Sequence, residues 1–210
     1  ELEEVFPESV LNGKGLLGII DAVQKVHSPT AISEAENARA RFVYQELLAL
    51  QLALALQRWS IQQKARSPVF ESSAEIHSRI TRRFPFKLTK DQQQVIQEIT
   101  EDTAREYPMN RLLQGDVGSG KTVVAEYAML LAVANGHQAV LMAPTEILAQ
   151  QHLQTLSRDL KDSRVRIELL TGSVTGSERK EILEAVRTGQ VDLLIGTHAV
   201  SYEHVVFANL

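Results

Sequence analysis

The octapeptide Gly115–Thr122 constrains this chain more than any other segment. It reads Gly-Asp-Val-Gly-Ser-Gly-Lys-Thr and fits the pattern G-x-x-x-x-G-K-[ST] in full. An apolar run precedes it and a helical pattern follows it. Glycines in such a loop let backbone N–H groups turn inward around a phosphate, and the N-terminus of the next helix adds its dipole. The segment therefore predicts a phosphate-binding turn between a strand and a helix.

The residue types of this loop suit a metal-bound nucleotide. We expect Lys121 to bridge the β- and γ-phosphates and the Thr122 hydroxyl to hold Mg²⁺, which makes these two the catalytic candidates. Asp116 could equally be a turn residue that caps the loop, and no catalytic role is assigned to it. A glycine-rich turn with an incidental lysine is the alternative, but a chance match has odds of about one per cent. The expected nucleotide contacts within the loop are Gly115, Gly118, Ser119, Gly120, Lys121 and Thr122.

Short apolar runs alternate with helical segments after Arg111. Helices are predicted from Lys121, Glu146 and Ser177, with glycines closing two of them. This repeated βαβ pattern predicts an α/β fold, a parallel sheet flanked by helices, with ligand sites beyond the carboxyl ends of the strands. With the phosphate-binding loop before the helix from Lys121, the pattern resembles a P-loop NTPase (RecA-like) domain. The predicted strands are Arg111 to Gln114, His137 to Ala143, Arg164 to Leu170 and Val191 to Gly196.

The first part of the chain has a different, mainly α-helical pattern. Residues 31–64 contain no Gly or Pro and predict one long amphipathic helix. Alternating leucines from Leu50 to Leu56 would suit a strand, but the intervening Ala and Gln are poor strand formers. The apolar stripe of the helix is Val43, Leu47, Leu50 and Leu54. We therefore expect a helical linker region over 1–83 and the front part of an α/β domain, incomplete at its C-terminus, over 84–210.

Two features lie between these regions. A basic cluster, Arg79, Arg82, Arg83 and Lys87, is interpreted as part of a solvated polar linker. A helix is predicted from Thr89 to about Glu106, with Ile96 and Ile99 facing inward.

Composition narrows the classes of function. The chain has no cysteine, so disulfides, thiolate metal sites and a Cys nucleophile are excluded, and its six histidines form no closely spaced ligand pair. A net charge of −4 means that any nucleic-acid contact must come from local patches. The apolar stretches are too short to span a membrane and no secretory leader opens the sequence, so we expect a cytoplasmic protein without a membrane partner.

Three segments carry a resemblance to a known family. They are Phe84–Gln92, Pro108–Thr122 and Ala143–His152. Together they resemble RecG, a family of superfamily 2 branch-migrating DNA helicases, and the resemblance is strong over about 84–210. It implies that Gln92 recognises the adenine of ATP. Thr89 and Gln92 also form a capping box for the helix that they begin, so a purely structural role stays open.

The resemblance also implies a track for a DNA strand along the loops after three strands. Each candidate has a structural alternative: Thr145 as a helix cap, 171–173 as a turn, and His198 as a polar residue at a strand end. Because all follow strand carboxyl ends, a shared surface is geometrically possible, and contacts there would position DNA without reading its sequence. The implied DNA contacts are Thr145, Thr171, Gly172, Ser173, Thr197 and His198.

The resemblance implies an ATP-dependent, monomeric motor that remodels branched DNA in repair and recombination. The family's Asp-Glu-x-His motif is expected shortly after Leu210, so we expect negligible ATPase activity from this chain alone. Transcription-repair coupling factors share the motor type but differ at Ser119 and around Pro108. A P-loop transporter or small-molecule kinase, and a noncatalytic module whose long helix binds a partner, are the remaining alternatives.

Overall fold

A computed structural model describes residues 2–202 and 204–210 of the chain. It divides into two compact units, Glu1–Ala65 and Arg66–Leu210. Each unit is described by itself below.

The first unit consists of three helices. Helix α1 spans Glu8–Lys14, α2 spans Ile19–His27 and α3 spans Ile32–Lys64. The 33-residue α3 matches the range expected from the absence of Gly and Pro. It ends just before Ser67-Pro68, because proline disfavours the helical conformation of the residue before it. Helices α1 and α2 lie in a stretch whose glycines gave no helical prediction.

A charged side chain occupies the centre of this first unit. Arg41 is fully buried, and its Nη2 donates to Glu4 Oε1 at 2.7 Å while its Nη1 donates to Gln45 Oε1 at 2.7 Å. The guanidinium lies over the ring of Phe6, 4.4 Å from its centroid. By contrast, the apolar stripe of α3 is exposed. The unit is therefore held together around α2 and the N-terminal part of α3.

The second unit is an α/β domain with three layers. Its elements in chain order are α4 (Ala74–Thr81), α5 (Lys90–Thr103), α6 (Lys121–Ala134), β1 (Ala139–Met142), α7 (Glu146–Asp159), β2 (Ile167–Leu170), α8 (Gly176–Arg187), β3 (Leu193–Gly196) and a 3-10 helix (His198–Ser201). The strands form a parallel sheet in the order β1-β3-β2. The α/β class with a parallel sheet flanked by helices is thus confirmed.

The central strand β3 shows how the two faces of the sheet are buried. All four of its residues are buried, as expected for a parallel strand covered on both sides. Leu193 and Ile195 pack in the core that contains α5, α6 and α7, whereas Leu194 packs in the core under α8. Ile96 and Ile99 of α5 are buried in the first of these cores, as predicted.

The second unit begins earlier than the expected boundary between residues 83 and 84. Residues 74–81, expected as a polar connector, form α4, which begins at the Ser73 cap. Ile80 and Phe84 are buried in the same core as α6, and His77 Nδ1 lies 3.0 Å from the Tyr127 hydroxyl. The linker interpretation of the basic cluster is therefore wrong for Arg79, which lies within α4.

The strand predicted for Arg111 to Gln114 is also wrong, since these residues have no regular structure. The Arg111 guanidinium donates to Asp102 at 2.6 and 2.9 Å and pairs with Glu98, both on α5. Leu112 is 81% exposed. Within the described residues no strand pairs with this segment, and a strand conformation needs such a partner to satisfy its backbone groups.

Helix α6 carries a buried carboxyl group. Glu126 is 1% exposed, and no hydrogen-bond partner of its Oε1 occurs among the described residues. Burial raises the pKa of Glu126 to about 7; the charge of Asp159 adds to the rise, while Arg158 and Arg83 oppose it. The group is therefore about half protonated near neutral pH.

Candidate functional site

The phosphate-binding turn predicted from the sequence has the backbone that its glycines allow. Gly118 and Gly120 both have φ of +81°, in the left-handed region that favours glycine. The Ser119 N–H donates to the Asp116 carbonyl at 3.2 Å, and Gly120 is the N-cap of α6. A Cβ on Gly120 would collide with the side-chain amide of Gln92. The positive φ therefore favours glycine at this position, whereas the Gln92 amide, at the end of a flexible side chain, could move aside for a Cβ.

Lys121 places its charge against the first residues of the loop. Its Nζ donates to the Gly115 carbonyl at 2.7 Å and to the Asp116 carbonyl at 2.8 Å. The ammonium group is thus held over the loop rather than extended into solvent. Thr122, the next residue, is exposed in the first turn of α6. Both side chains are available at a helix N-terminus, where backbone N–H groups and the helix dipole favour an anion.

Gln92 connects α5 to this loop. Its Oε1 accepts from the Thr89 N–H at 2.9 Å, and the Thr89 hydroxyl accepts from the Gln92 N–H at 3.2 Å, so the capping box is present. At the same time its Nε2 donates to the Ser119 carbonyl at 3.0 Å. One amide oxygen lone pair and one amide hydrogen remain for a ligand. Gln92 therefore has the structural role of capping α5 and contacting the loop, and its side chain could still bind a ligand.

A cavity of about 290 Å³ lies between α5 and the loop. Five of the predicted nucleotide contacts line it, and Gly118 and Thr122 do not. These five are Gln92, Gly115, Ser119, Gly120 and Lys121. A cationic amine, the positive end of a helix and a side-chain amide fit the phosphates and base of a nucleotide. Thr122 is an exposed residue of this turn, and a hydroxyl at its position could hold Mg²⁺.

Helix α6 carries the loop to one edge of the sheet. The helix is 14 residues, or about 21 Å, long. Only residues 135–138 separate its end from β1, so its C-terminus lies beside the amino end of β1. Its N-terminus, with the loop, therefore points toward the carboxyl ends of the strands. This is the edge at which ligands bind in open α/β sheets.

A second cavity, of about 420 Å³, lies among the loops that follow all three strands. Of the predicted DNA contacts, Thr145, Gly172, Thr197 and His198 line it. Ser173 is adjacent, since its N–H donates to Glu146 Oε1 at 3.2 Å. The structure thus brings together residues that are more than fifty positions apart in sequence.

The predicted contacts differ in exposure. Thr145, Gly172, Ser173 and His198 are exposed, whereas Thr171 and Thr197 are buried. The Thr171 hydroxyl lies 2.8 Å from the Ser173 hydroxyl, so it orders the turn. Thr145 also caps α7, since its hydroxyl accepts from the Leu148 N–H at 3.3 Å. The side chains of Thr171 and Thr197 thus support these loops from inside.

Sequence reasoning missed several residues of the second cavity. Glu146, Arg179 and Tyr202 line it together with the predicted contacts. Tyr202 follows Thr197-His198 within one short helical turn, so its position after a strand end was a signal that could have been used. Arg179 lies in the first turns of α8, far from β3 in sequence, and only the fold brings it there.

Comparison with known proteins identifies the family of this chain. A family described as DEAD/DEAH box helicase matches residues 89–209, more than half of the chain. The chain belongs to the DEAD/DEAH box helicase family. The matched range of this DEAD/DEAH box chain includes the phosphate-binding loop and all three strands.

Its curated relatives confirm the resemblance to RecG that the motifs predict. The chain is 40% identical over 210 residues to the ATP-dependent DNA helicase RecG of Synechocystis sp., covering 100% of this chain and 25% of that protein. It is 42% identical to RecG of Thermotoga maritima (100% and 27%) and 41% identical to RecG of Bacillus subtilis (100% and 31%). The chain spans about a quarter to a third of the length of these relatives.

A solved structure agrees with this assignment. The DEAD/DEAH box chain matches a structure of RecG bound to a three-way DNA junction with a TM-score of 0.86 and 41% identity, covering 100% of this chain and 29% of the other. Among the residues that the structure describes, none of the helices is both long and apolar enough to cross a membrane.

Proposed function

We propose that this chain is the front part of the first motor domain of an ATP-dependent DNA helicase that remodels branched DNA, such as stalled forks and Holliday junctions, in repair and recombination. The observation that carries the proposal is the phosphate-binding loop, Gly115–Thr122, set at the carboxyl edge of a parallel sheet in a chain that is 34–42% identical to RecG helicases along 98–100% of its length.

ATP is the proposed nucleotide, bound with Mg²⁺. The chemistry that the nucleotide supplies is hydrolysis of its terminal phosphate. Lys121 would leave the Gly115 and Asp116 carbonyls to contact the β- and γ-phosphates, and the Thr122 hydroxyl would hold the metal. Gln92 would contact the adenine with the amide hydrogen and lone pair that its structural bonds leave free.

The DNA strand is proposed to follow the loops at the strand ends. Thr145, Gly172, Ser173 and His198 present exposed hydroxyl, amide and imidazole groups around one cavity, which supports contacts to successive phosphates. Thr171 and Thr197 are proposed to act by holding these loops, because their side chains are buried. Such contacts position a strand without selecting its sequence.

The test is a titration with a fluorescent ATP analogue and Mg²⁺ that compares the wild type with Lys121→Ala. A charge-assisted hydrogen bond contributes about 2 kcal/mol, so we expect the variant to bind about thirtyfold more weakly. Lys64→Ala, at an exposed lysine of the first unit, is the matched control and should bind like the wild type. Circular dichroism establishes that all three are folded. Equal affinity of wild type and Lys121→Ala would contradict the proposal.

The adenine contact has its own test. Gln92→Glu keeps an acceptor for the Thr89 N–H and removes the amide donor. If Gln92 recognises adenine, the wild type should prefer ATP over GTP and this variant should lose that preference. An unchanged preference would leave Gln92 with only its structural role. The monomeric state of the motor stays a prediction, which sedimentation of the full-length protein checks.

A further inference from the structure

A group of basic side chains lies at the edge of the sheet opposite the phosphate-binding loop. Two adjoining cavities there, of about 500 and 400 Å³, share Arg83 and Asp162 in their linings. Neither lining includes a residue that the proposed function uses. The basic side chains that line the two cavities, called the basic surface below, are Arg79, Arg82, Arg83, Arg158, Lys161 and Arg164.

The place of the basic surface in the fold follows from the elements around it. Arg164 comes shortly before β2, and Asp192, in the lining of the larger cavity, immediately precedes β3. Both positions are at the amino ends of the strands, whereas the phosphate-binding loop and the predicted DNA contacts are at the carboxyl ends. The strands have four residues each, so about 13 Å separates these two edges of the sheet.

The basic surface is positive although the whole chain has a net charge of −4. Six basic and three acidic side chains line its cavities, and the acidic ones are Asp159, Asp162 and Asp192. Asp159 pairs with Arg158 at 2.8 Å, and Asp192 Oδ2 accepts from the Arg166 N–H at 2.7 Å. Among the described residues, no ion pair involves the five basic side chains other than Arg158. These five are therefore available to an anionic partner.

One further carboxyl group, that of Glu126, interacts with the charges of Arg83 and Arg158. It is 1% exposed, so it does not contact a partner at the surface. Burial raises the pKa of Glu126 to about 7, so near neutral pH this group cancels only part of one positive charge.

The residue types of the basic surface favour the backbone of a DNA duplex. No aromatic ring is among the described residues that line the two cavities, and proteins that hold unpaired strands stack the bases on such rings. Arginine and lysine instead bind phosphate oxygens. The cations come from the end of α4 with the turn after it and from the end of α7 with the loop after it, so they extend over a surface. A duplex carries one phosphate charge per about 1.7 Å of its axis and presents phosphates wherever it lies.

We propose that the basic surface binds the phosphate backbone of one duplex arm of branched DNA, while another arm contacts the loops at the carboxyl ends of the strands. The inference rests on the proposed function, because only branched DNA offers a second arm. A straight duplex that lies along one edge of the sheet does not reach the opposite edge, whereas arms that diverge from a junction can lie along both. Such contacts favour a junction over a linear duplex without reading base sequence.

The first test measures DNA affinity in the protein completed to the length of its RecG relatives. A variant that combines Arg82→Gln and Arg164→Gln removes one exposed cation from each cavity. It should weaken binding of a three-way junction about tenfold and reduce the slope of log affinity against log salt by about two. Binding of a linear duplex should change by less than about twofold, because the carboxyl edge of the sheet is unaltered.

Arg166→Gln is the matched control for this double variant. Arg166 is exposed, lies two residues after Arg164 and lines neither cavity. This control should keep the junction affinity and the salt dependence of the wild type. Circular dichroism and unchanged binding of the ATP analogue establish that both variants are folded. A loss of junction affinity as large in Arg166→Gln as in the double variant would reflect general charge and overturn the inference.

Chemical footprinting locates the second arm directly. Lys161 is an exposed amine within the basic surface. A three-way junction should slow its acylation, measured by mass spectrometry, and a linear duplex should slow it much less.

The remaining outcomes separate this inference from the helicase proposal. Wild-type junction affinity in the double variant, or a Lys161 that the junction does not protect, would overturn the inference and leave the helicase proposal standing. A Lys161 that is already unreactive in the DNA-free protein would mean that another part of the chain covers the basic surface, with the same consequence. A wild-type protein that binds no DNA would overturn both.

Discussion

Among the described residues, each of the two units buries one charged side chain, and the surroundings of the two charges differ. In the first unit Arg41 is fully buried and has an ion-pair partner, Glu4, and an amide partner, Gln45. In the second unit Glu126 is almost as buried, and no partner for its Oε1 occurs in the described residues. Burial raises the pKa of Glu126 to about 7, so this carboxyl group is partly protonated near neutral pH.

The difference follows from what surrounds each charge. The first unit has few buried apolar side chains, so its charged centre is part of what holds the helices together. Burial acts to raise the pKa of Glu4, but hydrogen bonds from the Phe6 and Ile19 N–H groups and the charge of Arg41 outweigh it and leave the pKa lowered. The second unit has two extensive apolar cores, and they tolerate a carboxyl group whose Oε1 has no hydrogen-bond partner among the described residues. The buried Arg41 therefore stabilises the first unit, whereas burial of a charged Glu126 destabilises the second unit.

The largest expected effect is the loss of stability on removing a buried apolar side chain from the second unit. Removal of an exposed apolar side chain from the first unit is the comparison. Leu156→Ala, in the core of the second unit, should lower the free energy of unfolding of that unit by about 3 kcal/mol, since it leaves a cavity. The matched Leu50→Ala on exposed α3 should change the stability of the first unit by less than about 0.5 kcal/mol. Hydrogen exchange resolved by segment measures both. A large loss from Leu50→Ala would mean that the α3 stripe is buried in solution.

The next effect concerns the charged centre of the first unit. Arg41→Ala should destabilise that unit by about 2 kcal/mol, less than for a wholly buried pair because Glu4 is partly exposed. Arg39→Ala, two residues earlier and exposed, is the control and should be near neutral. Exchange rates of the α2 amides report the change. If both variants behave alike, Arg41 does not hold the unit together and the comparison between the units fails.

The smallest effect depends on pH. Because the pKa of Glu126 is about 7 in the folded chain and ordinarily 4.5, the folded state binds more protons than the unfolded state between these values. Stability of the second unit should therefore fall as pH rises from 4.5 to 7 and then level off. Glu126→Gln should remove this fall and be more stable than the wild type by about 1.4 kcal/mol at about pH 5.5, part-way through the fall.

Unfolding by denaturant at several pH values measures this difference. Glu181→Gln, at an exposed position of α8, should retain the pH dependence of the wild type. A wild-type stability that rises between pH 4.5 and 7 would contradict the raised pKa of Glu126.

Local signals in the sequence predicted much of the second unit. The phosphate-binding loop, the capped start of α5 and the helices α6, α7 and α8 all carry their own start or stop residues, so they could be located without knowing their neighbours. The strands β1, β2 and β3 lie within mainly apolar runs, and their predicted ranges were only a few residues too long. The gathering of Thr145, Gly172 and His198 at one edge followed from the parallel order of such strands.

Other features depended on partners that the sequence pattern does not name. The apolar run at 111–114 suits a strand, but Arg111 binds α5 and the segment has no paired neighbour among the described residues. The stripe on α3 has helical spacing, yet spacing identifies a face without identifying what covers it. Helix α4 is polar outside and has a single buried residue, Ile80, too little to stand out as a periodic pattern.

The sequence by itself determined the phosphate-binding loop, because its glycines, lysine and threonine lie within eight consecutive residues and shape the backbone of that segment alone. It also determined the α/β class, since alternating apolar runs and helices have few ways to bury both faces of a sheet. Only the tertiary structure decided that Gln92 donates to the Ser119 carbonyl, that the buried Glu126 Oε1 has no hydrogen-bond partner among the described residues, and that Arg179 and Tyr202 line one cavity. Those contacts join residues that are distant in sequence, and their energies arise only when the fold brings them within reach.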